Sequence, residues 1–117
     1  EGYANGEWGA IGGGGGGDTQ TVTTTSTTET TLATYAKATY VAAEIVVVAD
    51  DGTDRTIAKL LVTHDGTTAV ATQFGEVNTD TQLATYDVDI SGTDVRLRVT
   101  AASSTSTAHT AIATLIE

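Results

Sequence analysis

The stretch that decides the fold is Leu83-Ala84-Thr85-Tyr86-Asp87-Val88-Asp89-Ile90-Ser91-Gly92-Thr93-Asp94-Val95-Arg96-Leu97-Arg98-Val99-Thr100-Ala101. It alternates with a period of two on both sides of one turn signal. Ala84, Tyr86, Val88 and Ile90 share a face opposite Thr85, Asp87 and Asp89, and Val95, Leu97, Val99 and Ala101 share a face opposite Arg96, Arg98 and Thr100. Successive side chains of a strand point to opposite faces, so each half reads as a half-buried strand. Ser91-Gly92-Thr93-Asp94 joins them as a hairpin, which sets Asp87 or Asp89 across from Arg96 or Arg98 on the outer face.

The same pattern extends outward. Asp50-Asp51-Gly52, His64-Asp65-Gly66, Asn78-Thr79-Asp80 and Ser91-Gly92-Thr93 recur about every 13 residues, the rhythm of a meander or sandwich. Between them lie strand-like runs at 39–49, 55–64, 68–77, 81–90, 94–101 and 108–116. Ile45 to Val48 is apolar on both faces, which predicts a central strand covered on both sides, in a sandwich or at an assembly interface. The 26 threonines fit pleated, half-solvated surfaces. The expected fold is therefore all-β: an antiparallel sandwich over 32–117, as a jelly-roll-like or immunoglobulin-like meander.

Two zones precede it. Residues 1–11 hold Asn5-Gly6, a strong hairpin dipeptide, with Tyr3, Trp8 and Ile11 as anchors. This reads as the end of an upstream β-repeat, too small to fold alone. Residues 12–31 begin with six glycines and continue rich in threonine, a linker or an edge strand. The glycine run reaches roughly 13 Å as a flexible chain. The first residue is not Met, so the expectation is a processed chain or a piece of a longer one.

Charge and composition narrow the function. The 117 residues suit one domain. A formal charge of −10 argues against nucleic acid and against an anionic membrane surface, since phosphate binding needs clustered Lys and Arg. No apolar run approaches the ~18–20 residues of a membrane span. Without cysteine there is no disulfide and no thiolate metal site.

Each candidate for chemistry has a simpler reading. The glycines end in Asp18-Thr19-Gln20 rather than Gly-Lys-Ser/Thr, so they make no phosphate loop. Asp50, Asp51 and Asp54 around Gly52 match no full calcium loop and fit a turn. Asp87 and Asp89 share a strand face, as paired catalytic carboxylates would, but beside two arginines they read as a surface charge ladder. His64 and His109 stand without a Gly-x-Ser-x-Gly nucleophile elbow. Six aromatics are few for a sugar-stacking platform. The expectation is a non-enzymatic module with no catalytic, metal or cofactor residues.

Two segments carry a resemblance. Glu1-Gly2-Tyr3-Ala4-Asn5-Gly6-Glu7-Trp8-Gly9-Ala10-Ile11, followed by glycines, resembles the end of a short repeat common in bacteriophage tail-fibre and other virion structural proteins. The run Ala58 to Thr67 with Gln73-Phe74-Gly75, then Leu83 to Gly92, Val95 to Thr100 and Ser103 to Thr107, is similar to a β-domain of structural proteins of marine tailed phages, notably cyanophages. That resemblance covers roughly 39–116. It implies a virion component (tail fibre, neck, tail or capsid decoration) with no catalytic residues to carry over. The expected partners are further copies of the chain, as a trimer in a fibre, and other virion proteins. A host-glycan-binding adhesin module and a bacterial surface or filament subunit are the alternatives.

Overall fold

The computed structural model describes residues 17–117, and these form eight antiparallel strands in two sheets. The strands are β1 (Gly17–Thr24), β2 (Thr30–Ala36), β3 (Ala42–Asp50), β4 (Arg55–His64), β5 (Ala69–Asn78), β6 (Ala84–Ser91), β7 (Asp94–Ala101) and β8 (Thr107–Ile116). The larger sheet has the order β1-β8-β3-β4-β5 and the smaller one β2-β7-β6. The expected upstream hairpin at 1–11 and most of the glycine run lie outside the described residues. Gly17–Thr24 is the edge strand of the larger sheet, paired along its whole length with β8.

The antiparallel sandwich expected from the alternation is the architecture found. The β6–β7 hairpin has Ser91 opposite Asp94, which leaves Gly92 and Thr93 as its tip, and Asp89 stands opposite Arg96. β3 is central, between β8 and β4. The core forms where the inward faces of the two sheets meet. Ile45, Val47 and Leu60 of the larger sheet lie in one apolar cluster with Val88, Leu97 and Val99 of the smaller.

Two turns repeat one chemistry. The β3–β4 and β4–β5 loops each span four residues between paired ends, Asp50 opposite Arg55 and His64 opposite Ala69. In the first, Asp51 Oδ1 accepts hydrogen bonds from the amides of Thr53 and Asp54. In the second, Asp65 Oδ1 accepts them from Thr67 and Thr68. Gly52 and Gly66 follow at φ of 92° and 91°, a left-handed conformation costly for residues with a Cβ. The Asp-Gly-Thr signal thus encodes both reversals.

β2 has no counterpart among the runs read from the sequence. Its register shifts between Thr31 and Ala33, so Leu32 and Ala33 are both buried and the alternation breaks. β3 also begins at Ala42 rather than residue 39, because Thr39 and Tyr40 donate their amides to Ala36 O in a turn. β6 begins at Ala84 rather than residue 81.

Candidate functional site

The polar candidates are dispersed. Asp51 is occupied by its own turn, and backbone amides hold its carboxyl below the usual carboxylate range. Asp50 pairs with Arg55 at 3.1 Å, and Asp54 accepts a hydrogen bond from Thr79 Oγ1. Among the described residues, no three His, Cys, Asp or Glu side chains gather as a metal-binding group.

Asp89 takes a two-point grip from Arg96, with Nε–Oδ1 at 2.7 Å and Nη2–Oδ2 at 2.6 Å. Hydrogen bonding from Arg96, aided by the Arg96 and Arg98 charges, holds the Asp89 carboxyl low. A carboxylate so held is a poor proton donor at neutral pH. Arg98 stands opposite Asp87 in register but leans toward Asp89 at 3.5 Å and Glu29 at 3.9 Å. Asp87 bonds the amide of Val88.

The histidines serve structure in different ways. Gly66 donates its amide to His64 Nδ1, and His64 Nε2 lies 2.6 Å from Tyr40 O, so this ring ties the β4–β5 turn to the start of β3. His109 is fully buried on the inner face of β8, with Nε2 2.9 Å from Thr24 Oγ1 and no partner for Nδ1. Desolvation pushes the His109 imidazole below its ordinary value of 6.5. The folded chain therefore keeps His109 neutral where the unfolded chain takes up a proton. Stability from this group is complete above about pH 6.5 and declines as pH falls below it. We expect the unfolding free energy from urea melts to fall between pH 7 and pH 5, with a slope from this group limited to about 1.4 kcal/mol per pH unit. His109→Gln should flatten this slope; an unchanged slope would show that another group causes it.

The aromatic residues form no stacking platform among those described. Tyr35 is buried, while Tyr40 and Tyr86 pack against the core; Phe74 is exposed. Its ring lies 5.4 Å from Lys59 Nζ, a cation–π contact on the outside of the larger sheet.

What stands out is apolar. The two outer faces of the sandwich differ sharply. The smaller sheet presents Thr85, Asp87, Asp89, Arg96 and Arg98 to solvent and no exposed large hydrophobic residue. The larger sheet presents Ile57, Leu61, Phe74, Val77 and Ile112, each 44–67% exposed. An open depression of about 610 Å³ lies at one corner of this face, between Ala42, Glu44, Leu61, Thr63, Val70 and Ile116. The sequence signalled part of this surface, since Ile45 to Val48 is apolar on both sides. It hid the rest, because the residues come together only through the strand order.

The fold defines a class, the two-sheet antiparallel β-sandwich. Within it, the chain is similar to a solved structure, the tailspike protein of Acinetobacter phage vB_ApiP_P1, with a TM-score of 0.60 and 21% identity over 83% of this chain. The match spans 21% of the length of that tailspike. At this identity the likeness is one of fold. No protein-family model matches the sequence, and a search among curated proteins gives no significant match.

Proposed function

We propose that the chain is a non-enzymatic domain of a tailed-phage virion appendage, built to assemble as a homo-oligomer, three copies in a fibre. The observation that carries the reading is the sandwich shared with a phage tailspike over 83% of the chain. The residue chemistry supports it: the candidate polar groups described are engaged in turns, ion pairs or the core, except Asp87, which stands exposed on β6 and bonds the neighbouring Val88 amide. A place among marine tailed phages rests on the sequence resemblance over 39–116 and belongs to the same proposal. In this role the module joins, spaces and orients other parts of a particle, and needs no cofactor.

The test is to purify the particles that carry the chain, separate them from free protein by density gradient, and apply mass spectrometry and antibody labelling against residues 32–117. Label at the tail end of the particle is the expected result. A chain confined to host membranes or filaments would overturn the assignment in favour of a bacterial surface subunit.

A further inference from the structure

We infer that the outer face of the five-stranded sheet is the surface through which copies of this chain bind one another. This deepens the appendage reading by naming where copies meet, and rests on it for the biological setting alone.

The register places side chains from different strands in rows across this face. Thr19, Ile112, Val46, Lys59 and Phe74 form one row, from β1 to β5. The next row carries Thr110, Val48, Ile57 and Val77. Seven of the eight exposed large hydrophobic residues of the described chain lie on this face; the eighth, Val41, precedes β3. An antiparallel sheet with one solvated side is expected to be polar there, as the smaller sheet is. The row on the other side, Thr114, Glu44, Leu61 and Thr72, is mixed, so the exposed apolar side chains concentrate around Val46, Ile57, Phe74, Val77 and Ile112, and such a group on a protein in water marks a contact surface.

Three observations identify the occupant as a second copy. The first is charge. The chain carries −10 overall, so identical copies repel through most of their surface. The acidity sits at the turns and rims, in Asp51, Asp54, Asp65, Asp80 and Asp94. The apolar face carries two acids, Glu44 and Asp50, and two bases, Arg55 and Lys59, paired within one copy at 3.0 Å (Lys59–Glu44) and 3.1 Å (Arg55–Asp50). It is neutral, and its charges need no partner from outside, so like-charged copies can approach there.

The second is area. Five strands about 4.8 Å apart and about 30 Å long present roughly 700 Å², near the ~800 Å² per partner of a standard stable interface. The third is the sheet edge. β5 is a ten-residue edge strand, solvent-exposed on both sides for most of its length, in a chain with no proline to blunt it. The β2 edge, by contrast, is capped: the Gln20 side-chain amide donates to Thr34 O and accepts from Thr34 N. The β5 edge is interrupted at one point, where Gly75 at φ 77° bulges out of the pairing with β4, and is otherwise open beside the apolar face.

The experiment uses the full 117-residue chain in sedimentation equilibrium. The wild type should be a dimer or trimer at micromolar concentration. Ile57→Lys with Ile112→Lys should weaken association at least ~100-fold, because a buried unpaired charge is costly at an interface centre. Thr85→Lys, on the opposite sheet, should leave it intact. Both altered isoleucines are about half exposed in the single copy, so the variant should keep its unfolding midpoint. If it does not fold, a second arm decides. Val46→Cys, the only cysteine then present and central in the face, should cross-link between copies with a short bismaleimide, whereas Thr85→Cys should not. A monomeric wild type, an oligomer insensitive to the lysines, or cross-linking at Thr85→Cys alone would overturn the inference. A monomeric wild type would also remove the homo-oligomer from the function proposed above, whereas an oligomer insensitive to the lysines would sink this inference alone; neither bears on whether particles contain the chain, which the gradient experiment reads.

Discussion

Leu97→Ala should lower the free energy of unfolding by about 3 kcal/mol and the melting temperature by at least 10 °C, the largest effect of any single truncation proposed for this chain. The magnitude follows from position. β7 is the central strand of the smaller sheet, and Leu97 stands on its inner face at 1% exposure. Its register partners are Ala33 on β2 and Val88 on β6, both buried. The larger sheet contributes five alanines to the same cluster, Ala43, Ala49, Ala58, Ala111 and Ala113, beside Ile45, Leu60 and Leu115. Such small residues leave the leucine to fill the space between the sheets, and rigid strands on both sides limit collapse into the cavity. Denaturant melts of the wild type and variant give the difference directly. A loss below about 1 kcal/mol would mean that the sheets relax into the gap and that the core is less closely packed than described. Ile57→Ala provides the contrast, since its side chain is 44% exposed and should cost little within one copy.

The difference between these two positions also shows how far the sequence could be read. Alternation alone placed Leu97 inward and Arg96 and Arg98 outward, because β6 and β7 are adjacent in sequence and one turn fixes their register. Wherever a strand pairs with its sequence neighbour, as in β3–β4–β5, local chemistry sufficed: the Asp-Gly-Thr reversals carry both the turn and the partner. β2 escaped because its bulge places Leu32 and Ala33 inward in succession, which erases the period-two signature within a stretch already dominated by threonine. The pairing of β8 with β1 and β3 was also illegible, as its residues lie more than 50 positions from either partner and threonine and alanine give no register information. The candidate surface inherits this limit. Ile112, Val46, Ile57 and Phe74 each look like ordinary strand residues in sequence; only the order β8-β3-β4-β5 makes them a single face. Gln20 as the cap of a strand in the opposite sheet has no sequence signal at all.

A second expected result concerns how the two sheets are joined where the chain crosses from β5 to β6. Thr56→Val should cost about 2–3 kcal/mol despite preserving the size and shape of the side chain. Thr56 is fully buried on β4. Its hydroxyl donates to Asn78 Oδ1 at 2.6 Å and accepts from the Leu83 amide at 2.9 Å. Leu83 in turn accepts from the amide of Ala102, just past the end of β7. One hydroxyl therefore links the larger sheet, the crossover and the end of the smaller sheet. Asn78 continues the network to Glu76, whose carboxylate also receives Gln73 and Gln82, and these bonds hold its carboxyl below the usual range. Valine removes the donor and the acceptor together. It leaves the Leu83 amide without a partner at the sheet junction, where desolvating an unpaired N–H costs more than a hydrogen bond contributes. Thr56→Ser separates the terms: it keeps the hydroxyl and loses one methyl, so it should cost only about 1 kcal/mol. Hydrogen exchange at the Leu83 amide reads the same bond without relying on global stability, and should accelerate in the valine variant and stay slow in the serine variant. Equal stability of the valine variant and the wild type, with the Leu83 amide still protected, would mean that the crossover is held by apolar packing of Leu83 rather than by this hydroxyl.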